Sequence, residues 1–293
     1  MARTINDSFK ILKSNLEITG LQESTVSTRQ TKIREAIVTK LSVKETFLSG
    51  SYRRQTLIAP LSKADIDIFV VLDAKYFHHY NGQNGGPGGL LDLLKRTLQN
   101  TYPTTPDISR NGQAVTIQFT DFMVDVVPCF YRQGGGFLIP SSIKQSWLST
   151  DPKKHVEFLT ESNAWNNGNL IPLIKMIKGW NRTINSYFRS FHLEVIALNV
   201  LQNVTITDFP SGMRYYFDKG KIYVQQKNPD PAGYHDDVGD YINSKDKLEA
   251  AVSRFDTALT RALKAEEYAR NNRIEEAIIE WKKIFGDYFP VYG

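Results

Sequence analysis

Apolar positions along the chain fall into two kinds of pattern. Residues 66–72, IDIFVVL, form a nearly unbroken apolar run, short enough for a buried strand and too short for a helix. Residues 114–119 and 122–127 read as two further strands, folded as a hairpin across Thr120 and Asp121, and residues 44–48 as a short strand running into Gly50 and Ser51. Helical spacing governs the flanks. Residues 6–18 and 27–41 predict helices, the second with Ile33, Ile37, Val38 and Leu41 on one face, and residues 90–100 predict a shorter one with Leu91, Leu94 and Leu98 along one side. Residues 80–90, YNGQNGGPGGL, hold five glycines and a proline, which predicts a mobile loop. From Asp151 onward most segments repeat at helical spacing, with Trp165, Trp180 and Trp281 at positions expected in a core. The pattern predicts two lobes: residues 1–150, strand-rich and led by the N-terminal helices, and residues 151–293, helical with a C-terminal tail.

Composition changes this picture in three places. A chain of 293 residues that is 41% hydrophobic can build two cores. No window approaches the roughly 18–20 apolar residues of a membrane span, and MARTINDSFKIL at the start lacks a continuous apolar signal region. The expectation is a cytoplasmic protein without a membrane span. The single cysteine, Cys129, rules out an internal disulfide, and the five histidines show no Cys/His spacing for zinc. Any metal must therefore be held by oxygen. The formal charge of +5, from 36 basic against 31 acidic residues, is mild and spread along the chain; it agrees with an anionic partner such as a nucleotide.

The chemistry concentrates at the head of the apolar run. Asp65 and Asp67 stand two apart, so on a strand both carboxylates point to one face. Left alone they repel, which raises one pKa and costs stability unless a cation lies between them. Magnesium fits, since it takes oxygen ligands from one or two carboxylates together with substrate phosphates. Asp125, in FMVDVVPCF, faces opposite to Phe122, Val124 and Val126. If its strand lies beside residues 66–72, three carboxylates converge, enough for two metal ions about 3.5–4 Å apart and in-line displacement at phosphorus. A lone D-x-D is more often a solvated turn or a salt bridge; the preceding Gly50-Ser51 turn and the second acidic strand shift the balance. Gly50 lets backbone amides approach a phosphate and Ser51 adds a hydroxyl.

These residues, LSGSYRRQT followed by ADIDIFVVL and VDVVPCF, resemble the G-S, D-x-D and third-Asp pattern of the polymerase-beta-like nucleotidyltransferase superfamily. IPLIKMIKGWNR, SFHLEVIALN, DPAGYHDDVGDYI and AIIEWKKIFGDYFP are similar to the helical lobe of the bacterial cGAS/DncV-like nucleotidyltransferases, relatives of the oligoadenylate synthetases. The resemblance implies an α+β fold: a catalytic core with a mixed sheet, a C-terminal helical lobe, and an active site in the cleft between them. It implies that Asp65, Asp67 and Asp125 hold two Mg2+ ions, with Mn2+ as a substitute, and that Asp125 helps deprotonate a ribose hydroxyl attacking a ribonucleoside triphosphate. The products implied are cyclic di- or trinucleotide second messengers of anti-phage defence. Gly50, Ser51, Lys178 in KMIKGW and Ser190 in RSFHLE are the expected triphosphate contacts.

Other readings of the same residues stand beside these. Lys175 and Lys178 share a helical face that could be solvated, and Ser190 could cap a helix beginning at Phe191. His192 is expected as a hydrogen-bonded core or rim residue and not as a catalytic base, and Cys129 as a small buried hydrophobe. The same core also supports a transferase making linear oligonucleotides or extending RNA, or a non-catalytic nucleic-acid sensor. Stable nucleic-acid binding is not expected, because three carboxylates without metals repel a phosphate backbone. The family resemblance also implies a ubiquitin-ligase-like partner that conjugates the chain's end, and Gly293 is slim enough to thread a narrow channel.

Overall fold

The computed structural model describes residues 2–104 and 107–293. The chain divides into two compact units: Ile18–Val156, and Glu157–Gly293 joined by the chain up to Glu17. The first helix, α1 (Ile5–Asn15), therefore belongs with the helical unit and not with the strand-rich one to which the sequence pattern assigned it. The reason is its apolar stripe. Phe9, Leu12 and Leu16 are fully buried, with the Phe9 ring edge-on to Trp281 at 4.9 Å and to Phe289 at 5.3 Å.

Within Ile18–Val156, α2 (Gly20–Lys40) starts seven residues before its predicted beginning. Thr19 caps the Gln22 amide while the Gln22 side chain reaches back to the Thr19 N–H, a reciprocal cap that fixes the start. Then follow β1 (Val43–Leu48), the short α3 (Gly50–Arg53), β2 (Asp65–Leu72), α4 (Ala74–Tyr80), α5 (Gly86–Thr101), β3 (Asp107–Asn111), β4 (Ala114–Gln118), β5 (Met123–Tyr131), β6 (Phe137–Ser141) and β7 (Ser146–Thr150). Helix α5 begins inside the glycine run expected to be a loop. Pro87 sits in its first turn, where a missing N–H costs nothing, and a Cβ on Gly89 would lie 2.1 Å from the Asn84 carbonyl oxygen.

The strands form a mixed sheet in the order β1-β2-β5-β4-β3, with β6 and β7 extending from β5. Among the described strands of the sheet, β2 and β5 pair in parallel and the other ladders are antiparallel. Strand alternation gives the sheet two different faces. One carries Ile66, Ile68 and Val70 of β2, Val115 and Ile117 of β4, and Val124 and Val126 of β5, packed in one core with Ile33 and Ile37 of α2 and Leu91, Leu94 and Leu98 of α5. The opposite face carries a smaller cluster of Phe69, Val71, Val127, Cys129 and Phe137, and at its other end the aspartates.

The second unit contains most of α6 (Pro152–Trp165), then α7 (Leu170–Thr183), α8 (Ser190–Val200), α9 (Phe209–Tyr223), α10 (Lys245–Arg270) and α11 (Ile274–Phe285). Trp180 and Trp281 are buried as expected, but Trp165 is 70% exposed. It ends α6, where the chain turns through Asn167 and Gly168 at positive φ, so no following turn covers it. The tail leaves helical geometry after Phe285, buries Phe289 and ends in a parallel bridge between Ala2 and Tyr292. Among the described residues, no helix is long and apolar enough to cross a membrane.

Candidate active site

The site begins with register. Parallel pairing sets Asp67 of β2 opposite Asp125 of β5, and antiparallel pairing sets Thr116 of β4 opposite Asp125 from the other side. Asp65, Asp67 and Asp125 therefore share one face, and each offers a carboxylate oxygen within 4.8 Å of the other two. They are graded in exposure: Asp65 is open to solvent, while Asp67 and Asp125 are half-buried. Among the described residues, no lysine or arginine pairs with Asp65 or Asp125. Burial pushes the Asp125 carboxyl above its usual range, the Thr116 hydroxyl bond opposes that, and the charge of Asp65 adds to it.

Gly50 lies at the edge of this group. Strand β1 ends as the Ser49 N–H donates to the Asp67 carbonyl at 2.9 Å, and the chain then turns at Gly50 with φ +62°. A Cβ at this position would stand 1.6 Å from Asp67 Oδ2. Only glycine satisfies both the backbone conformation and the approach to the carboxylate. Ser51 follows in α3, its carbonyl accepting from the Thr56 and Leu57 amides at 2.9 and 3.1 Å, which ties the turn to the chain beyond it.

The structure brings Gly50, Asp65, Asp67 and Asp125 together. It gives Lys178 and Ser190 a different description, within the helical unit. Lys178 of α7 is not a solvated lysine: its side chain is 6% exposed, and Nζ lies 2.6 Å from Oε1 of Glu194 on α8, itself 2% exposed. Removing one member of such a pair leaves an uncompensated buried charge, at a cost of about 3–5 kcal/mol. Lys175, on the next turn, pairs with Glu17 at 2.5 Å. Ser190 is exposed and is the first residue of α8; Arg189 occupies the capping position and no side chain caps the helix. The expected Ser190 cap is absent because the helix starts one residue early.

Two residues escaped the sequence reading. Thr116 Oγ1 donates to Asp125 Oδ1 at 2.5 Å, a contact that needs the β4–β5 register. Glu194 was visible as the lone acid in the apolar stretch FHLEVIAL, and a buried acid demands a partner.

Three hard oxygen donors, clustered with no cation paired to Asp65 or Asp125, fit a divalent metal better than a structural ion pair. Likenesses to known proteins identify the family. The family model described as Second Messenger Oligonucleotide or Dinucleotide Synthetase domain matches residues 3–163. A cyclic AMP-AMP-AMP synthase of Acinetobacter sp. is 27% identical over 98% of this chain and 86% of its own length. Among solved structures, E. coli CdnC with ATP superposes with a TM-score of 0.78 at 18% identity, covering 97% of this chain and 98% of that one; CdnC in complex with HORMA-deltaN gives 0.77 at the same identity and coverage. The family match takes in α1, the whole sheet and all three aspartates, and so the chain belongs to the Second Messenger Oligonucleotide or Dinucleotide Synthetase family, the cGAS/DncV-like nucleotidyltransferases that its motifs resemble.

Proposed function

We infer that the protein is a template-independent nucleotidyltransferase that joins ribonucleoside triphosphates and closes them into a cyclic di- or trinucleotide, a second messenger of anti-phage defence acting in the cytoplasm. The observation that carries this reading is the convergence of Asp65, Asp67 and Asp125 within 4.8 Å. The cyclic-nucleotide synthases among its relatives support the product class.

Asp65, Asp67 and Asp125 are the residues that would hold Mg2+, two ions on this reading, with Mn2+ able to substitute. When bound, such cations neutralise charge building on the phosphoryl oxygens and lower the pKa of a coordinated hydroxyl. The chain's own groups do the rest. The bare Cα of Gly50 leaves room for the Asp67 carboxylate in its present position, and Ser51 offers its hydroxyl to a triphosphate. Asp125, whose affinity for a proton burial has raised, takes the proton of the attacking ribose hydroxyl. The ribose oxygen bonds to the α-phosphorus, the bond from that phosphorus to the bridging oxygen breaks, and pyrophosphate leaves. Lys178 and Ser190 are assigned to the triphosphate on family resemblance; for Lys178 this requires the Glu194 pair to share its ammonium. A ubiquitin-ligase-like partner at Gly293 would first have to open the tail, because the Gly293 N–H donates to the Ala2 carbonyl.

The test is incubation of the purified protein with all four ribonucleoside triphosphates and Mg2+ or Mn2+, then phosphatase treatment and mass spectrometry, beside an Asp65→Asn/Asp67→Asn control. A phosphatase-resistant product, absent from the control, is expected. Only linear, phosphatase-sensitive products would replace the cyclase reading with that of an oligonucleotide-extending enzyme.

A further inference from the structure

The carboxylates belong to a row that crosses three strands. Thr116 of β4 stands opposite Asp125 of β5, and Asp125 opposite Asp67 of β2. Beyond Asp67 the row reaches the end of β1, where the Ser49 N–H donates to the Asp67 carbonyl and the Asp67 carboxylate fills the space that a Cβ on Gly50 would take. Asp125 thus has an anion on one side and the Thr116 hydroxyl donor on the other. That donor is well fixed: Thr116 is 8% exposed, and its Oγ1 lies 2.5 Å from Asp125 Oδ1. A β-branched side chain has few χ1 choices on a strand, and directly opposed residues have Cβ atoms only about 4.5–5.5 Å apart. The hydroxyl therefore has little freedom to point elsewhere.

We propose that Thr116 is a positioning residue for the metal-holding carboxylate Asp125. By engaging Oδ1, its hydroxyl sets the plane of the Asp125 carboxylate and turns the remaining acceptor positions toward Asp65 and Asp67, where a divalent cation would be shared. The inference rests on the reading of these aspartates as a metal site. Without the bond, repulsion from the two neighbouring anions turns Asp125 away before a cation arrives, so each binding event has to restore the geometry. Groups hydrogen-bonded to a ligating carboxylate commonly set metal affinity by about 10–100-fold.

The experiment is a titration of the full-length protein, without nucleotide, with Mn2+, following free Mn2+ by electron paramagnetic resonance. Four proteins are compared: the unmodified chain, Thr116→Val, Thr116→Ser and Asp65→Asn/Asp67→Asn. Valine keeps the shape and removes the hydroxyl; serine keeps the hydroxyl. The expected result is Mn2+ affinity at least about tenfold weaker for Thr116→Val and within about threefold of the unmodified chain for Thr116→Ser, with thermal midpoints of both within a few degrees of it. Unchanged affinity in Thr116→Val overturns the proposal, and so does an equal loss in Thr116→Ser, which would trace the effect to packing of the methyl group. If the unmodified chain binds Mn2+ no better than Asp65→Asn/Asp67→Asn, the metal-site reading fails and takes the proposal with it. Binding by the unmodified chain with no loss in the valine variant removes the role of Thr116 alone.

Discussion

A single missing carbon at Gly50 lets the Asp67 carboxylate sit where it does. An alanine there would place its Cβ 1.6 Å from Asp67 Oδ2 while holding φ at +62°, so either the turn or the carboxylate must shift. The left-handed conformation alone costs about 1–2 kcal/mol for a residue with a Cβ, and a displacement near 1 Å in a reacting constellation costs about 100-fold in rate. Gly50→Ala is therefore expected to lower cyclic product formation by at least about 100-fold while the thermal midpoint falls only a few degrees, measured by mass spectrometry and by calorimetry. At this scale the sequence was informative where one rule acted alone. Alternation along a strand placed Asp65 with Asp67, and Asp125 opposite Val124 and Val126. It was silent where two segments had to be aligned: nothing local distinguishes Thr116 from any other strand threonine, or Lys178 from a solvated lysine, until Asp125 and Glu194 lie beside them.

Helix α8 and the loop after α9 illustrate how elements lock through polar contacts that no periodicity announces. His192 of α8 is 1% exposed; its Nδ1 is 3.0 Å from the Tyr241 hydroxyl and its Nε2 3.3 Å from Asn228 Nδ2. A Cβ on Gly239 would lie 2.8 Å from the ring. Asp237 ties the loop internally, Oδ1 accepting from the Asn228 and Gly239 amides at 3.0 and 2.8 Å. Burial pushes the His192 pKa down to about 4, against the attraction of Asp237 and Asp240 and with the help of Arg189. The folded state therefore binds fewer protons than the unfolded chain between about pH 6.5 and pH 4, and stability falls as pH drops through that window, by on the order of 3 kcal/mol in full. The thermal midpoint is expected to decline over this range, and more shallowly in His192→Gln, which cannot take the proton. The sequence named His192 as a hydrogen-bonded residue of core or rim but could not supply its partners, which lie 36 and 49 residues away. It missed β3, β6 and β7 for a related reason: each is five residues long and is held by a partner distant in local pattern, β3 by β4, β6 by β5 and β7 by β6.

At the scale of the whole molecule, one unit is continuous and the other is not. Residues 18–156 hold the sheet, α2 and α5 without a break, whereas the helical unit draws α1 from the far end of the chain. The sequence pattern divides the chain after residue 150 and cannot assign α1 by its stripe alone, because an amphipathic stripe does not say which core it will join; the contacts group residues 18–156 and set α1 with residues 157–293. A fragment spanning residues 18–156 is expected to melt as one cooperative transition. A fragment of residues 157–293 is expected to aggregate, and to regain cooperative melting when residues 2–17 are fused to it through a flexible linker, as followed by circular dichroism. Loss of Phe9, Leu12 and Leu16, each worth about 1.5–3 kcal/mol when buried, is enough for that difference. The same arrangement imposes an order on biosynthesis. Helix α1 leaves the ribosome long before it can find its place, since Trp281, Phe285 and Phe289, which enclose Phe9, lie far later in the chain. At elongation rates of about 5–20 residues per second that wait is on the order of ten seconds or more, long enough for the sheet unit to fold while the apolar stripe of α1 stays unpaired.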